Sequence, residues 1–357
     1  MFNSAGTRCF GSASAVKNSI KSYPVYESGR NGKSSIVAGA AVAVVAAAVI
    51  LFVLFRSSSA EPLVEPVRVL KSDAEVLTKL SLSKDGNALA AASANGDVIV
   101  WQLPGRRSTI VGKATGSATT MLKWSPDGLL LCGDSSGLLR GWQQPELKES
   151  RIDSPQVPVT TCLFRQNLTD KLMLLGLSDG RIVQIEPSGT KLRDSGHRSI
   201  KAMLISSDQS TLVSAGSEGK VIWHDFKQDK ILSSVSGHDT EIAALAWSPN
   251  GTKLVSADWN GELRIWDAKK RKLIASATQP DAVSDLAWTK DRIVTGSWDG
   301  RIRVWNAESN PPELSFSIYT GLSIHSLVVD SSGETAFTVS GDGSVREWDL
   351  TKPVATE

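Results

Sequence analysis

Two stretches of the chain match GxSxG, the pattern that presents a nucleophilic serine in many acyl-transfer enzymes. They are residues 133–137 (GDSSG) and 176–180 (GLSDG). A nucleophile elbow needs a sharp turn from a strand into a helix, with a histidine and an acid beside the serine. Both matches instead fall at the same place in a repeated pattern of short strands, between a second and a third strand. The sequence therefore predicts that neither serine is catalytic.

The other side chains capable of chemistry are isolated in the sequence. They form no HxH, HExxH, CxxC or CxxH pair, so no zinc site or disulfide framework is indicated. These residues are His197, His224, His238, His325, Cys9, Cys132 and Cys162. A GxxxxGK[ST] phosphate-binding loop is also missing from the sequence. We therefore predict no enzymatic activity, no metal and no cofactor.

Composition narrows the class of protein further. The 357 residues include 39 Lys and Arg against 37 Asp and Glu, a net charge of +2, which gives no support to a nucleic-acid partner. Hydrophobic residues make up 41% of the chain, enough for a sizeable core. Eleven tryptophans accompany only three tyrosines. Some repeated feature of the fold must therefore require tryptophan.

Residues 34–55 contain no charged side chain. As a helix they would be about 33 Å long, enough to cross a hydrocarbon core of about 30 Å. They predict a single transmembrane helix, followed by a short tether at 56–63. A signal sequence cleaved near residue 60 is the alternative, although the apolar run is longer than a signal core.

Residues 1–33 form a basic tail with five Lys or Arg and the single acid Glu27. This charge bias favours a cytoplasmic amino terminus, with the rest of the chain on the opposite side of the membrane. A Ser-rich, acid-poor start is also typical of a mitochondrial transit peptide. Insertion into the mitochondrial inner membrane is therefore the alternative location.

From residue 64 the chain repeats. Alternating apolar stretches are separated by tight-turn sequences such as SKDG at 83–86 and SPDG at 125–128. The third stretch of each copy ends at an equivalent position, and these positions are 39 to 43 residues apart: Trp101, Trp142, Ile185, His224, Trp266, Trp305 and Trp348. Four short strands at this period predict a β-propeller with seven blades.

The repeats carry further marks. Trp-Asp pairs end two of the copies, at 266–267 and 348–349, and Gly-His pairs stand at 196–197 and 237–238. On these residues the chain resembles the WD-repeat β-propeller family over residues 64–350. The expected fold is all-β: a seven-bladed WD-repeat propeller preceded by a single transmembrane helix, with a short tail at 351–357. Residues 64–71 alternate suitably to supply the outer strand that the last copy lacks, which would close the ring.

The resemblance also implies a set of structural residues. In this family a Trp, a Ser or Thr, a His and a turn acid hydrogen-bond within each blade. The turn acid corresponds here to Asp179, Glu218, Asp299 and Asp342. No copy contains all four residue types, and the fifth comes closest, with His238, Ser256, Asn260 and Trp266.

Family members commonly bind partners beside the turn acid and ahead of the first strand. The residue before the turn acid is small in most copies but is Trp259 in the fifth and Trp298 in the sixth. Because Trp is enriched among residues that dominate binding energy, we expect a protein or peptide site here, with Glu75 and Glu241 as acidic contacts. Packing of both indoles over the blades is the alternative.

A basic run, Lys269, Lys270, Arg271 and Lys272, follows the fifth Trp-Asp pair. It could contact anionic lipid or an acidic partner, or simply form a solvated hairpin loop.

Together these features predict a membrane-anchored, non-enzymatic scaffold for protein–protein interaction. Two alternatives are a regulatory propeller acting on a small GTPase in membrane traffic, and a hydrolase with a site in the central channel. The sequence leaves the partner and the oligomeric state open.

Overall fold

The structure is a computed structural model that describes residues 63–351, apart from 73, 75, 104–106, 114, 153–154 and 167–170. Within these residues all regular secondary structure is β-strand. This part of the chain contains no helix that is long and apolar enough to cross a membrane. The predicted basic tail, the transmembrane helix at 34–55 and almost all of the tether lie outside the described residues.

Twenty-eight strands form seven antiparallel sheets of four strands each. After the closing strand β1 (Arg68–Lys71), the first three blades contain β2 (Leu77–Leu82), β3 (Ala88–Ser93), β4 (Val98–Gln102), β5 (Arg107–Gly112), β6 (Thr119–Trp124), β7 (Leu129–Asp134), β8 (Leu139–Gln143), β9 (Lys148–Arg151), β10 (Val159–Gln166), β11 (Lys171–Leu177), β12 (Arg181–Glu186) and β13 (Gly189–Asp194). Blades 4 and 5 contain β14 (Ile200–Ile205), β15 (Thr211–Gly216), β16 (Lys220–Asp225), β17 (Lys230–Ser236), β18 (Ile242–Trp247), β19 (Lys253–Asp258), β20 (Glu262–Asp267) and β21 (Lys272–Thr278). Blades 6 and 7 contain β22 (Val283–Thr289), β23 (Arg292–Ser297), β24 (Arg301–Asn306), β25 (Glu313–Tyr319), β26 (Ser326–Val329), β27 (Thr335–Val339) and β28 (Ser344–Asp349).

The ring closes by pairing the start of the propeller with its end. Strand β1 runs antiparallel to β28, with Arg68 opposite Glu347 and Lys71 opposite Ser344. Arg68 Nε lies 3.2 Å from Glu347 Oε2, which adds an ion pair across the seam. The predicted closure by residues 64–71 is confirmed, because β1 supplies the outer strand of the seventh sheet.

The tight turns between first and second strands use the side chains that the repeat supplies. In the second blade, Ser125 Oγ accepts a hydrogen bond from Leu129 N at 2.8 Å and donates to Asp127 at 2.5 Å. Gly128 then takes φ +84°, a left-handed conformation that favours glycine. This Ser-x-Asp-Gly turn reverses the chain at low cost, which explains its recurrence.

The core lies between neighbouring blades rather than at one centre. Each apolar cluster joins the inner faces of two adjacent sheets, and the largest completely buried side chains are indoles: Trp101, Trp142, Trp223, Trp266 and Trp348. A large flat ring fills the wedge between two twisted sheets well. This requirement accounts for the unusual tryptophan content.

Candidate functional site

Trp259 and Trp298 lie at equivalent positions in the second-to-third strand turns of blades 5 and 6. Their backbone N–H groups donate to Glu241 O and Ala282 O, both at 3.2 Å, which ties each turn to the segment before the first strand of its own blade. The side chains are 50% and 44% exposed. Their ring centroids are 5.9 Å apart with a tilt of 39°. The indoles therefore stack on each other at the surface and are not buried in the core.

His325 extends this stack to blade 7. Its ring lies 5.4 Å from the Trp298 ring with a tilt of 36°, and its Nδ1 is 3.1 Å from Leu77 O. We assign Nδ1 as the donor in this bond, so Nε2 is available as an acceptor. Trp259, Trp298 and His325 are called the aromatic surface below. The sequence analysis treated His325 only as an isolated histidine and gave no signal that it would stack on Trp298.

The two predicted acidic contacts have different outcomes. Glu241 is half-buried and its carboxylate lies 3.0 Å from Lys201 Nζ, so its charge is matched by a lysine of blade 4. Glu75 lies outside the described residues. Its predicted role stays a prediction.

Three of the four predicted turn acids pair with arginine rather than histidine. Asp299 contacts Arg303 Nη2 at 2.5 Å, while Asp342 contacts Arg346 and Asp179 contacts Arg181, both at 2.6 Å. Hydrogen bonding from Arg181 lowers the pKa of Asp179. Burial opposes ionisation of Asp342, but the bonds from Arg346 and Ser344 lower its pKa overall. These acids anchor their own third strands.

The fourth turn acid, Glu218, belongs to a chain of side-chain contacts in blade 4. Glu218 Oε1 is 2.5 Å from His197 Nδ1, and His197 Nε2 is 3.0 Å from Ser214 Oγ. Ser214 Oγ lies 2.8 Å from His224 Nε2. We assign His224 Nε2 as the donor, because the hydroxyl proton then reaches His197. His224 thus takes the position that tryptophan occupies in five of the other six blades. Burial, with the nearby His197, lowers its pKa to about 4.

Blade 5 contains the same series of side-chain contacts, and here a tryptophan occupies the third-strand position. Trp266 Nε1 donates to Ser256 Oγ at 2.8 Å, and Ser256 Oγ lies 2.6 Å from His238 Nε2. His238 Nδ1 is 3.3 Å from Asp258 Oδ2. The prediction that Asn260 would occupy the acid position is wrong. Asp258, two residues earlier, is almost completely buried and lies beside His238 in its place.

The series of side-chain contacts in blades 4 and 5 both run from an acid through a histidine to a serine, the order found in a hydrolytic triad. Ser214 and Ser256 have no exposed surface, however, so no carbonyl carbon can approach either hydroxyl. The GxSxG serines Ser135 and Ser178 lie in turns between two strands, with no helix after them. None of these serines has the setting of a nucleophile.

The same blade holds three potential metal ligands, His238, Asp258 and Glu262, whose ligand atoms lie within 4.8 Å of one another. The carboxylate of Asp258 already accepts bonds from Thr240 Oγ1 at 2.9 Å and from the backbone N–H groups of Asn260 and Glu262 at 3.1 and 2.8 Å. We therefore assign His238, Asp258 and Glu262 a role in stabilising the blade.

The central channel has a volume of about 410 Å³ and is lined by the first strand of every blade. Asp285 lines the channel, with Oδ2 3.0 Å from Ser326 Oγ and 3.3 Å from Leu327 N. Burial raises the pKa of this carboxyl above its ordinary value. The described lining contains no histidine and no second carboxylate, and its other titratable side chains are those of Cys162, Lys79, Lys123 and Lys201.

The buried thiols offer no alternative nucleophile. Burial raises the pKa of Cys132 to about 11 and that of Cys162 to about 12, so both stay protonated at neutral pH. A protonated thiol is a poor nucleophile and a poor metal ligand.

The first three residues of the basic run lie in the hairpin loop between β20 and β21, and Lys272 begins β21. Lys269, Lys270 and Lys272 are exposed, and Arg271 takes φ +56° at the turn. Asp267 Oδ1 accepts a bond from Lys270 N at 2.6 Å, which orders the loop locally. This arrangement is that of a solvated hairpin, and contact with lipid stays a prediction.

Comparison with known proteins identifies the repeat. The family model for the WD domain, G-beta repeat matches residues 64–102, 229–267 and 271–306. WD repeat-containing protein 1 of Xenopus tropicalis is 25% identical over 70% of this chain and 40% of its own length. Actin-interacting protein 1 of Drosophila melanogaster is 23% identical over 74% and 46%, and Protein FIZZY-RELATED 3 of Arabidopsis thaliana 23% over 82% and 65%. The chain thus spans less than two thirds of these relatives.

A chain in the crystal structure of the mitotic checkpoint complex has the same fold, with a TM-score of 0.70 at 18% identity over 80% of this chain and 92% of that one. The repeat match, the WD-repeat relatives and the seven four-stranded blades agree with one another. The chain therefore contains WD repeats and folds as a seven-bladed β-propeller similar to those of WD-repeat proteins.

Proposed function

We propose that this protein is a membrane-anchored platform that binds a partner protein or peptide through the aromatic surface and has no catalytic activity of its own. The observation that carries the proposal is the stacking of Trp259 on Trp298 across two blades, with both indoles about half exposed. Large apolar side chains grouped at a surface usually mark a site of interaction.

The exposure of Trp259 and Trp298 suits a role in binding a partner better than a role in stabilising the fold. The buried tryptophans at the blade junctions are at most 5% exposed, whereas Trp259 and Trp298 leave roughly half of their surface to water. An exposed indole contributes little to the stability of the blade, but a partner that covers it gains a large apolar area at small entropic cost. The stack with His325 holds the rings in place before a partner arrives, which reduces the ordering cost of binding.

The similar proteins support an interaction role. One is named for interaction with actin, and the structurally similar chain comes from a checkpoint complex. Actin and checkpoint proteins are partners of those proteins. For this chain the supported class is a protein partner, reached through rigid loops on a propeller.

The test replaces both indoles in the full-length protein. Partners are first identified by proximity labelling or crosslinking, and their affinity for Trp259→Ala/Trp298→Ala is then compared with that for the wild type. We expect a loss of about 2 to 4 kcal/mol in binding, because paired tryptophans at the centre of an interface are typical hot spots. The free energy of unfolding should change by less than about 1 kcal/mol.

The matched control is Leu273→Ala/Ile274→Ala, which removes two exposed apolar side chains, 46% and 40% accessible, from the outer strand of blade 5. This variant should bind the partner normally. Equal loss in both double variants, or unchanged binding after removal of the indoles, would contradict the assignment of the site. A large loss of stability in Trp259→Ala/Trp298→Ala would favour the packing alternative.

The membrane part of the proposal depends on the uncharged run at 34–55. We propose that it anchors the chain with the amino terminus cytoplasmic and the propeller on the opposite side, and the five basic residues of the tail support this orientation. Protease added outside sealed vesicles that expose their cytoplasmic face should leave the propeller intact. Digestion of the propeller would reverse the orientation, and fractionation of organelles would reveal a mitochondrial location.

A further inference from the structure

The turn between β18 and β19 of blade 5 contains an asparagine where equivalent turns contain an aspartate. Its sequence is Ser-Pro-Asn-Gly-Thr, at 248–252. The third position of the corresponding turns in blades 1, 2 and 4 is an acid: Asp85, Asp127 and Asp208. Residues 250–252 therefore match N-x-[ST], the acceptor pattern for N-linked glycosylation, in which the middle residue is not proline.

The hydrogen bonds of Asn250 all use its amide oxygen. Oδ1 accepts from Thr252 N at 3.0 Å, from Thr252 Oγ1 at 2.7 Å and from Ser248 Oγ at 2.8 Å. A backbone N–H can only donate, so the atom that faces Thr252 N must be the oxygen. Within the part of the chain that the structure describes, Nδ2 makes no hydrogen bond. The amide nitrogen is thus the part of this side chain that the turn does not use.

The aspartate of blade 4 shows which bonds the turn needs. Asp208 Oδ1 accepts from Ser206 Oγ at 2.5 Å and from Ser210 N at 3.0 Å. Asn250 Oδ1 makes the same two kinds of bond, one to the serine at the start of the turn and one to the N–H two residues later. A group attached to Asn250 Nδ2 would therefore leave the bonds of the turn intact.

The turn is open to solvent. Asn250 and Thr252 are both exposed. Ser207 of blade 4 lies beside the turn, with its Oγ 3.5 Å from the point that a Cβ on Gly251 would occupy. The aromatic surface belongs to turns at the other end of the strands. A large hydrated group on Asn250 therefore has room, and it leaves the aromatic surface uncovered.

We propose that Asn250 is a site of N-linked glycosylation. This site rests on the proposed orientation of the membrane anchor, which exposes the propeller on the side opposite to the cytoplasm. The donor is a polyprenyl diphosphate-linked oligosaccharide, used by a membrane-bound transferase. Asn250 Nδ2 forms a bond to the anomeric carbon of the sugar while the bond from that carbon to the phosphate oxygen breaks. The polyprenyl diphosphate leaves with the electron pair, and a base of the transferase takes one Nδ2 proton.

The sugar would also affect the basic run. Thr252 O accepts a hydrogen bond from Ala268 N at 3.0 Å, so residue 252 lies beside the loop that begins the basic run at Lys269. A bulky hydrated group at this position would keep the loop away from a flat lipid surface. The rim that carries the aromatic surface would then be the face left open to a partner.

The experiment starts from the full-length wild-type protein, produced in a eukaryotic host whose secretory pathway attaches N-linked sugars. Peptide N-glycosidase removes the sugar and converts the linked asparagine to aspartate, which mass spectrometry detects in the peptide that contains Asn250. We expect this conversion at Asn250 only after glycosidase treatment. Residues 167–169 (NLT) match the same pattern but lie outside the described residues, so the measurement must identify the peptide and not only a change in gel mobility.

Three variants test the acceptor pattern. Asn250→Asp places the residue of blades 1, 2 and 4 in the turn, and should remove one glycosidase-sensitive step in gel mobility. It should unfold at the same urea concentration as the deglycosylated wild type, because the oxygen that the turn needs is kept. Thr252→Ala should also lose the modification, whereas Thr252→Ser should retain it.

The matched control creates an acceptor in blade 4. Asp208→Asn completes Asn-Gln-Ser at 208–210, in a turn with the same hydrogen bonds, and should add one glycosidase-sensitive step. Modification at 208 with Asn250 unmodified would overturn the proposal and leave the orientation standing. So would the absence of sugar at both positions in a propeller that is protected from cytoplasmic protease. An unmodified propeller that this protease digests would overturn both the glycosylation site and the orientation.

Discussion

The junction between blades 2 and 3 and the junction between blades 4 and 5 have the same strand register, but different side chains fill them. Between blades 4 and 5, Trp223 and Trp266 are buried edge to face, and Trp266 also bonds Ser256. Between blades 2 and 3, Gly141 and Ile185 occupy the equivalent positions, and a cavity remains. The comparison shows that the sheet hydrogen bonds maintain the blade while side-chain volume decides whether a junction is closed or open.

The largest expected difference between the two junctions is in stability. Trp266→Ala should cost about 3 to 5 kcal/mol in the free energy of unfolding, because a completely buried indole and its bond to Ser256 are lost. Ile185→Ala should cost clearly less, since Ile185 is half-buried and already borders the cavity. Denaturation by urea measures both values. Equal costs would mean that the open junction is packed as tightly as the closed one.

The second difference is in pH dependence, and it comes from His224. Its folded pKa, about 4, is lower than its ordinary value of 6.5, so between these values the unfolded chain binds a proton that the folded chain does not. Stability should therefore be complete above pH about 6.5 and fall by about 3 kcal/mol as the pH approaches 4.

His224→Trp is the matched variant, because it restores the residue type found in blade 5. It should remove that part of the pH dependence which lies between pH 4 and 6.5, as followed by thermal unfolding at a series of pH values. An unchanged profile would assign the acid sensitivity to other groups.

The smallest expected difference is in the hydrogen bond that each buried tryptophan donates from its indole N–H group. Trp266, Trp305 and Trp348 donate to Ser256, Thr295 and Thr338, at 2.8, 3.2 and 2.8 Å. In blade 2 the hydroxyl position is Cys132, and the buried Trp142 Nε1 has no hydrogen-bond partner.

Cys132→Ser should supply the missing acceptor and stabilise the protein by about 0.5 to 1.5 kcal/mol. The control is Cys162→Ser, which buries a hydroxyl in the first strand of blade 3 and should not stabilise. A gain in both variants, or in neither, would show that the indole bond does not depend on the hydroxyl position.

The fold was accessible to sequence reasoning because its signals are local and repeated. Turn sequences, alternation and a tryptophan near the end of most third strands recur every 39 to 43 residues, so weak copies such as blade 3 are located by their neighbours. The aromatic surface was partly accessible for the same reason, since Trp259 and Trp298 interrupt a series of small residues. His325 was missed because its position in the repeat carries no aromatic pattern.

The acid that lies beside His238 in blade 5 could not be identified from the sequence. The repeat places Asn260 in the acid slot, yet His238 lies beside Asp258, because the second strand ends in a turn that directs the earlier carboxylate inward. Choosing between two polar residues two positions apart requires the positions of a loop from the preceding blade.

The sequence by itself determined the number of blades, their strand order and the closure by residues 64–71, because each depends on a pattern within about 40 residues or on a strand that the last copy lacks. Only the tertiary structure decided which acid meets which base, that His325 joins the stacked indoles, and that a cavity opens between blades 2 and 3. These features depend on the volumes and directions of side chains from different blades, and residues far apart in sequence carry no local sign of how they will fit together.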